Sequence, residues 1–500
     1  MSRHDFAWSQ TYAEWIDTKL SRSAFLRGAL GIGAASLAFG GAAHRGIAHA
    51  EPSPLTSSRA AAGVDWGGLE RRLGRPVTLA SDPDYATAKQ LFNTRFDSTA
   101  PTAVVRVTSA TEVATAVAFA AEHDVVLAAR AGGHSYVGAS AATGAMIIDL
   151  RGLTGLTYRD GTAVVAPGLT LHQVYRELDK HGQTIPTGMC PMVGVAGLTL
   201  GGGLGFEARR YGLTCDRLVA ATMVLPDGTT TEVSPTCRPE LFWAVRGGGS
   251  HVGVVTSLTF RTCPATPKDV VELTFPGDLA AQVIAGWANW LRTAGRDQWA
   301  DVSVDADGHG GLSCWLQLVS PARDGVRAAV ELMTHTAKPL NVEYRSLSHL
   351  DAVAHLAGGT PPRAAFTCGS DVITELTADT IAAIVEAVTS HSRAGGTGWV
   401  QINALDGAVR DTGPTETAFP WRAHAALVEW GNYQPIPHER AAEWIAEAHS
   451  LVASASAGAY INYLESGDPL ERYYAHNYAQ FAAIRRAVDP ANRIHTALTP

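Results

Sequence analysis

Three glycine-rich stretches carry much of the chemistry this chain's residue types allow: Arg130-Ala131-Gly132-Gly133-His134-Ser135-Tyr136, Gly201-Gly202-Gly203-Leu204-Gly205 and Arg246-Gly247-Gly248-Gly249. Lacking a Cβ, such loops can bring backbone N–H groups close to an anion, and together they suit the pyrophosphate of a dinucleotide. Neither common nucleotide fingerprint is present. Gly201 to Gly205 does not fit G-x-G-x-x-G, no strand signal runs directly into a helix there, and no G-x-x-x-x-G-K-[ST] occurs, which argues against a nucleoside triphosphatase. The six cysteines, Cys190, Cys215, Cys237, Cys263, Cys314 and Cys368, form no C-x-x-C pair for zinc or a redox dithiol, and no metal site is expected. In an oxidising compartment some of them are expected to pair.

The first glycine loop needs a rigid base, which a β-α-β unit over Thr102 to Leu150 supplies. Ala103 to Val107 has strand character. Ser109 and Glu112 are spaced as a capping box, each satisfying the other's free amide, at the start of a helix whose apolar face is Val113, Ala116, Val117 and Ala120. Val125 to Ala129 then runs as a strand into the loop, and Ala145 to Leu150 follows as another. A helix is expected from about Leu169 to His181. Pro226-Asp227-Gly228 and Arg246 to Gly249 read as two hairpin-like turns, the second leading into a strand from Val252 to Phe260. From about 267 to 450, strand-like runs such as Val270 to Phe275 and Ser313 to Val319 alternate with helical stretches such as Thr380 to Ser392. The last segment carries a helix with Tyr478, Phe481, Ile484 and Val488 on one face, stopped by Asp489-Pro490.

Five hundred residues exceed one ordinary hydrophobic core, so two or more packed units are expected. With 46% hydrophobic and 17% charged residues the chain has ample apolar surface to fold. A net charge of -8 and the lack of any Lys/Arg run argue against nucleic acid as a partner. The N-terminus reads as an export signal: a basic patch at Arg22 and Arg27, a Gly/Ala-rich apolar run from Gly28 to Ala43, and Ala48-His49-Ala50 before a mature start at Glu51. Ser21 to Arg27 is Tat-like, except that Ser23 stands where a second arginine belongs. The apolar run is too short for stable membrane insertion.

Seven motifs, in order, resemble those of flavoproteins related to berberine bridge enzyme, within the vanillyl-alcohol oxidase superfamily. They are Arg130 to Ser135, Gly188-Met189-Cys190-Pro191 through Gly197, Gly201 to Gly205, Arg210 to Asp216, Leu241 to Gly249, Thr417 to Arg422, and Tyr460-Ile461-Asn462-Tyr463. The resemblance implies an α+β fold: an export signal over 1–50, a two-subdomain PCMH-type FAD-binding domain over 64–265, a substrate domain over 266–455 with an antiparallel sheet covered by helices, and a segment over 456–500 that returns to the flavin. It further implies an FAD-dependent oxidoreductase acting on a small molecule.

The same resemblance implies bicovalent FAD, joined to His134 at the 8α-methyl and to Cys190 at ring carbon 6. Two tethers would raise the flavin potential and prevent loss outside the cell. Arg130, Gly132, Gly133, Ser135, Gly194, Gly197, Gly201, Gly202, Gly205, Tyr463 and Asn477 are then cofactor-binding positions. Val193 aligns with a position over the reactive face where valine admits O2, which favours an oxidase. Tyr460 aligns with a tyrosine that takes a hydroxyl proton as hydride leaves for the flavin. Sugar-oxidising relatives carry Gln-x-Asp on a nearby strand, whereas this chain has Gln401-Ile402-Asn403, two weak substrate-binding candidates that lack the carboxylate. Sugar and secondary metabolite both fit as substrate. A dehydrogenase or oxidative cyclase is the alternative enzyme, and a non-catalytic drug-binding flavoprotein the alternative outside enzymes. His251 has no assigned role, and Trp315, Trp399, Trp421 and Trp430 are candidates for stacking on a ligand.

Overall fold

The computed structural model describes residues 63–433 and 436–496; the expected export signal, with its Tat-like stretch, lies outside the described residues. Mixed helix and sheet is arranged around two larger sheets and one small parallel one. The small sheet runs in the order Thr78–Leu79, Ala103–Arg106, Met146–Asp149, Leu127–Arg130, its last three strands parallel. The helix Ala110–Glu122 crosses between two of these strands and buries Val113, Ala116, Val117, Phe119 and Ala120. Its cap differs from the reciprocal box. Ser109 accepts from the Glu112 N–H at 3.2 Å, but the Glu112 carboxylate accepts from the Thr108 N–H at 2.8 Å, because its reach favours the amide one residue earlier. A full capping box forms instead between Thr170 and Gln173, at the start of the helix Leu171–Asp179.

A five-stranded antiparallel sheet follows, in the order Leu156–Arg159, Thr162–Val165, Val254–Arg261, Leu218–Val224, Thr230–Val233. Pro226-Asp227-Gly228 is a hairpin turn joining the last two, with Gly228 at φ 89°. Arg246 to Gly249 is not one. It follows the short helix Pro239–Ala244 rather than a strand, so its glycines turn a helix into the strand Val254–Arg261. Gly201 to Gly205 is too rich in glycine to read from sequence as an ordinary helix or strand, yet Gly201 closes the helix Val195–Gly201, and only Gly202 and Gly203 enter positive φ. All six cysteines are free thiols, so no disulfide staples the fold.

The largest sheet has eight antiparallel strands: Asn341–Leu347, Lys268–Pro276, Leu312–Pro321, Trp299–Asp307, Thr397–Ala404, Ala426–Tyr433, Phe366–Ile373 and Ser456–Gly458. Side chains alternate across it with period two. Val302, Val304, Leu316, Leu318, Val400, Ile402, Val428 and Trp430 point to one face, where they form a dry core with Ile284, Trp287, Leu332, Ile384, Val388 and Trp444 from the helices Ala280–Leu291, Gly325–His335, Ala378–Arg393 and His438–Val452. The intervening residues, among them Asp301, Trp399, Gln401, Asn403 and Glu429, are thereby turned to the opposite face. Among the described residues no helix is long and apolar enough to cross a membrane.

Candidate active site

A cavity of about 480 Å³ lies against this polar face of the large sheet, and the glycine loops wall its other side. Arg130 ends the strand Leu127–Arg130 opposite Asp149 and forms a buried ion pair with it at 2.8 Å. Arg130 therefore anchors the base of the first loop and does not line the cavity. The loop is then held by backbone contact. A Cβ on Gly132 would stand 2.3 Å from the Gly194 nitrogen, and one on Gly194 would stand 2.3 Å from the Gly132 nitrogen, so only glycine at both positions lets the two loops touch. That contact places His134 and Cys190 in the same cavity.

Gly132, Gly133, Ser135, Val193, Gly194, Gly197 and Gly205 line it with them. A Cβ on Gly197 would meet no atom within 4 Å and would project into open space. His134 stacks on Phe92 with ring centroids 4.1 Å apart. Burial pushes its imidazole down to about 4, against a backbone bond at Met192, so the ring is neutral at pH 7. Burial pushes the Cys190 thiol up, although Met192 and Val193 backbone bonds oppose this. The thiol is the resting form, not the thiolate that attack requires.

Gly201 and Gly202 do not line the cavity. A Cβ on Gly201 would stand 2.1 Å from Asn462 Oδ1, and Gly202, at φ 131°, packs against Tyr460 and Phe419, so these glycines make room for the Tyr460–Tyr463 segment. Asn477 is also elsewhere: its Nδ2 donates to the Pro414 and Thr417 carbonyls at 2.8 and 3.1 Å and braces a loop. Of the four tryptophans, Trp399 lines the cavity, Trp421 and Trp430 are core, and Trp315 donates to Asp305 at 2.8 Å. His251 does line the cavity, bound to the Gly248 carbonyl at 2.7 Å and pushed down to about 4 by burial.

The polar wall centres on Glu429. The Tyr136 hydroxyl donates to Glu429 Oε1 at 2.6 Å, Tyr463 bonds the same carboxylate, and the two phenol rings stack at 5.1 Å, 4° from parallel. Burial lifts Glu429 to about 6 against these two bonds. Tyr460 also lines the cavity, but its hydroxyl oxygen accepts from the Gly203 N–H at 2.7 Å and from Asn462 Nδ2 at 2.9 Å, and burial pushes its phenol up. No acceptor for its proton stands beside it among the described residues. Gln401 and Asn403 line the cavity on the neighbouring strand, Gln401 in register with Glu429.

An ion network behind this wall fixes the tyrosine segment. His449 bridges Asp371 at 2.6 Å and Glu465 at 2.8 Å, Glu465 accepts from the Ser370 N–H at 3.1 Å, and the Ser370 hydroxyl accepts from the Tyr460 N–H at 3.1 Å. Ser370 is the register partner of Glu429, so the network ties the carboxylate's strand to the segment carrying both tyrosines. Burial opposes charge on His449, but the two carboxylates outweigh it and lift the group to about 9.

Glu429, Tyr136 and Asn462 were not singled out from sequence. Tyr136 follows His134 by two residues, and Glu429 is the single acid in the otherwise apolar run Ala426 to Trp430, which was the available signal.

The glycine-lined cavity leaves room for a dinucleotide. A family model described as FAD binding domain matches residues 101–234. An uncharacterized FAD-linked oxidoreductase of Bacillus subtilis, YgaK, is 28% identical over 434 residues, covering 84% of this chain and 95% of the relative. The chitooligosaccharide oxidase of Gibberella zeae is 27% identical over 428 residues, 78% of this chain and 85% of that one. The solved structure of Physcomitrella patens BBE-like 1 superposes with a TM-score of 0.80 at 23% identity, over 87% of this chain and 99% of its own. With an FAD binding domain and relatives matched along most of its length, the chain is an FAD-linked oxidoreductase, and its fold is that of berberine bridge enzyme-like structures.

Proposed function

We propose that this protein is an exported oxidase that holds FAD through both His134 and Cys190 and oxidises an alcohol, a saccharide hydroxyl in preference to a secondary metabolite. The observation that carries the reading is that a buried carboxylate bonded by two phenols, Tyr136–Glu429–Tyr463, shares one cavity with His134 and Cys190. The glycine walls fit a flat, extended dinucleotide, since Gly197 leaves open space where any side chain would intrude. FAD, when bound, supplies the hydride acceptor and returns two electrons to O2, giving H2O2.

The chain's own residues handle the proton. A carboxylate at about 6 is ionised at neutral pH, and Tyr463 can take the substrate hydroxyl proton as it passes its own to Glu429. Tyr460 ranks below this pair because burial pushes its phenol up despite the two donors that favour its phenolate, and no carboxylate is bonded to it to take its proton. Val193 stands in the cavity as the residue to admit O2. The saccharide preference rests on Trp399, Gln401, Asn403 and Glu429, on the lack of any Arg or Lys among the lining residues, and on the relative named as a chitooligosaccharide oxidase. The test is anaerobic flavin bleaching of the holoenzyme by N,N′-diacetylchitobiose and a panel of alcohols. Glu429→Gln should keep its flavin and slow bleaching by about 10²- to 10³-fold; bleaching at the wild-type rate would overturn the assignment.

A further inference from the structure

Asp301 has no part in the scheme above, yet it is the most completely buried acid beside the cavity, at 0% exposure. It sits on the strand Trp299–Asp307, directly opposite Asn403 on one side and Gln317 on the other. It does not line the cavity itself. Its Oδ2 accepts from Gln401 Nε2 at 2.5 Å, the only side-chain donor to it among the described residues, and the backbone N–H groups of Gln317 and of Asp301 itself also favour the carboxylate. Gln401 does line the cavity, and its Oε1 takes no hydrogen bond from the described residues. A primary amide has one acceptor end and one donor end, so whatever fixes one end decides what the other offers.

We propose that Asp301 is a positioning residue: as a carboxylate it accepts only, holds the Gln401 amide with its carbonyl oxygen toward the cavity, and so selects a substrate group that donates a hydrogen bond there. This rests on the reading of the cavity as the substrate site. When Asp301 is protonated its O–H can donate to Gln401 Oε1, the amide reverses, and an N–H2 meets the substrate hydroxyl's proton instead. The bond to a hydroxyl donor is then lost.

The surroundings leave Asp301 free to change state. Burial lifts it to about 7, opposed chiefly by the Gln401 bond. No cation stands against it in its row. Gln317 faces it on one side and donates at 3.2 Å to Glu272, which His355 meets at 3.1 Å; Gln401 and Asn403 face it on the other, with Glu429 one strand beyond. Ser303 and Asp305 follow on its own strand. Across the cavity His134 and His251 are both pushed down to about 4 and are neutral.

The experiment uses the holoenzyme in two arms. Infrared difference spectra over about pH 5 to 9, taken in a Glu429→Gln background so that the Glu429 carboxyl at about 6 does not contribute, should show a carboxylic-acid carbonyl component with a midpoint about 7 that is absent when Asp301→Asn is added and moves upward when Gln401→Leu is added, which removes the donor that favours the carboxylate. In the second arm, binding of N,N′-diacetylchitobiose, read from flavin absorbance, should weaken about fivefold on acidification through that midpoint, the worth of one hydrogen bond. Asp301→Asn should abolish this dependence. In that background, a component about 7 that persists with Asp301→Asn, or a midpoint unmoved by Gln401→Leu, overturns the pairing without reference to any substrate. If Gln401→Leu weakens binding while Asp301→Asn keeps the wild-type pH dependence, the positioning role is overturned. If Gln401→Leu binds the sugar as tightly as the wild type, the cavity is not the sugar site and that reading falls.

Discussion

The wall of the cavity that carries His134 and Cys190 is made of backbone, and the wall that faces it is made of side chains. On the first, Gly132 and Gly194 approach until either Cβ would collide with the other's nitrogen, and the neighbouring groups are neutral. On the second, Gln401, Asn403 and Glu429 project from adjacent strands, and hydrogen bonds set their states. The first wall is suited to holding a large fixed group, and the second to meeting a small one whose protons move. Their sensitivities should differ accordingly: the glycine wall to added volume, the sheet wall to removed polarity.

Glycine substitutions break the comparison most severely. Gly132→Ala should lose about 3 kcal/mol or more of stability, because the collision at 2.3 Å is with backbone, and thermal unfolding reads this directly. Gly197→Ala should fold with a wild-type melting temperature yet load less FAD, since its Cβ enters empty cavity space. Equal destabilisation by the two would mean the glycines serve packing alone.

On the other wall, Tyr463→Phe should reduce kcat by about 10- to 100-fold and Tyr460→Phe by about threefold or less, with flavin content unchanged in both. The opposite order would return the proton to Tyr460. A gentler probe is pH. Glu429 lies at about 6 and must be ionised to accept a proton, so kcat should be level above that value and fall as pH drops through it, with this limb absent in Glu429→Gln. A separate effect, on stability and not on rate, concerns the support behind the wall. His449 is raised from its ordinary 6.5 to about 9, so its contribution is fully present below 6.5 and lost as pH rises through 9. That loss is on the order of 3 kcal/mol, and His449→Gln should flatten the alkaline fall in melting temperature.

The two walls also differ in how far they could be read in advance. The glycine loops lie in short contiguous stretches whose shape requirement is local, so residue type alone suggested a dinucleotide cradle, whereas His134 and Cys190 came forward only through the resemblance of their motifs. Arg130, Gly201 and Gly202 belong to such motifs, and Asn477 to the segment expected to return to the flavin, yet all four serve the frame, because proximity to a site does not say which way a side chain turns. Glu429 meets Tyr136 only through a loop from a distant part of the chain, and Asp301 meets Gln401 only through strand pairing. Nothing in the local pattern of Asp301-Val302-Ser303 or Leu427-Val428-Glu429 separates a cavity-facing acid from a solvated one. The strands themselves were legible from their alternation, but the pairing of Gln401 with Glu429 on one side and with Ser303 on the other is a tertiary fact. The Glu112 carboxylate shows the same limit on a smaller scale, choosing the Thr108 amide over the Ser109 amide that spacing suggests.

The most direct measurement is acid precipitation of the purified protein followed by peptide mass mapping around His134 and Cys190. The account predicts a yellow pellet with flavin mass on both peptides, reduced to the single remaining peptide in either His134→Ala or Cys190→Ala. A colourless pellet, with neither peptide modified, would contradict it.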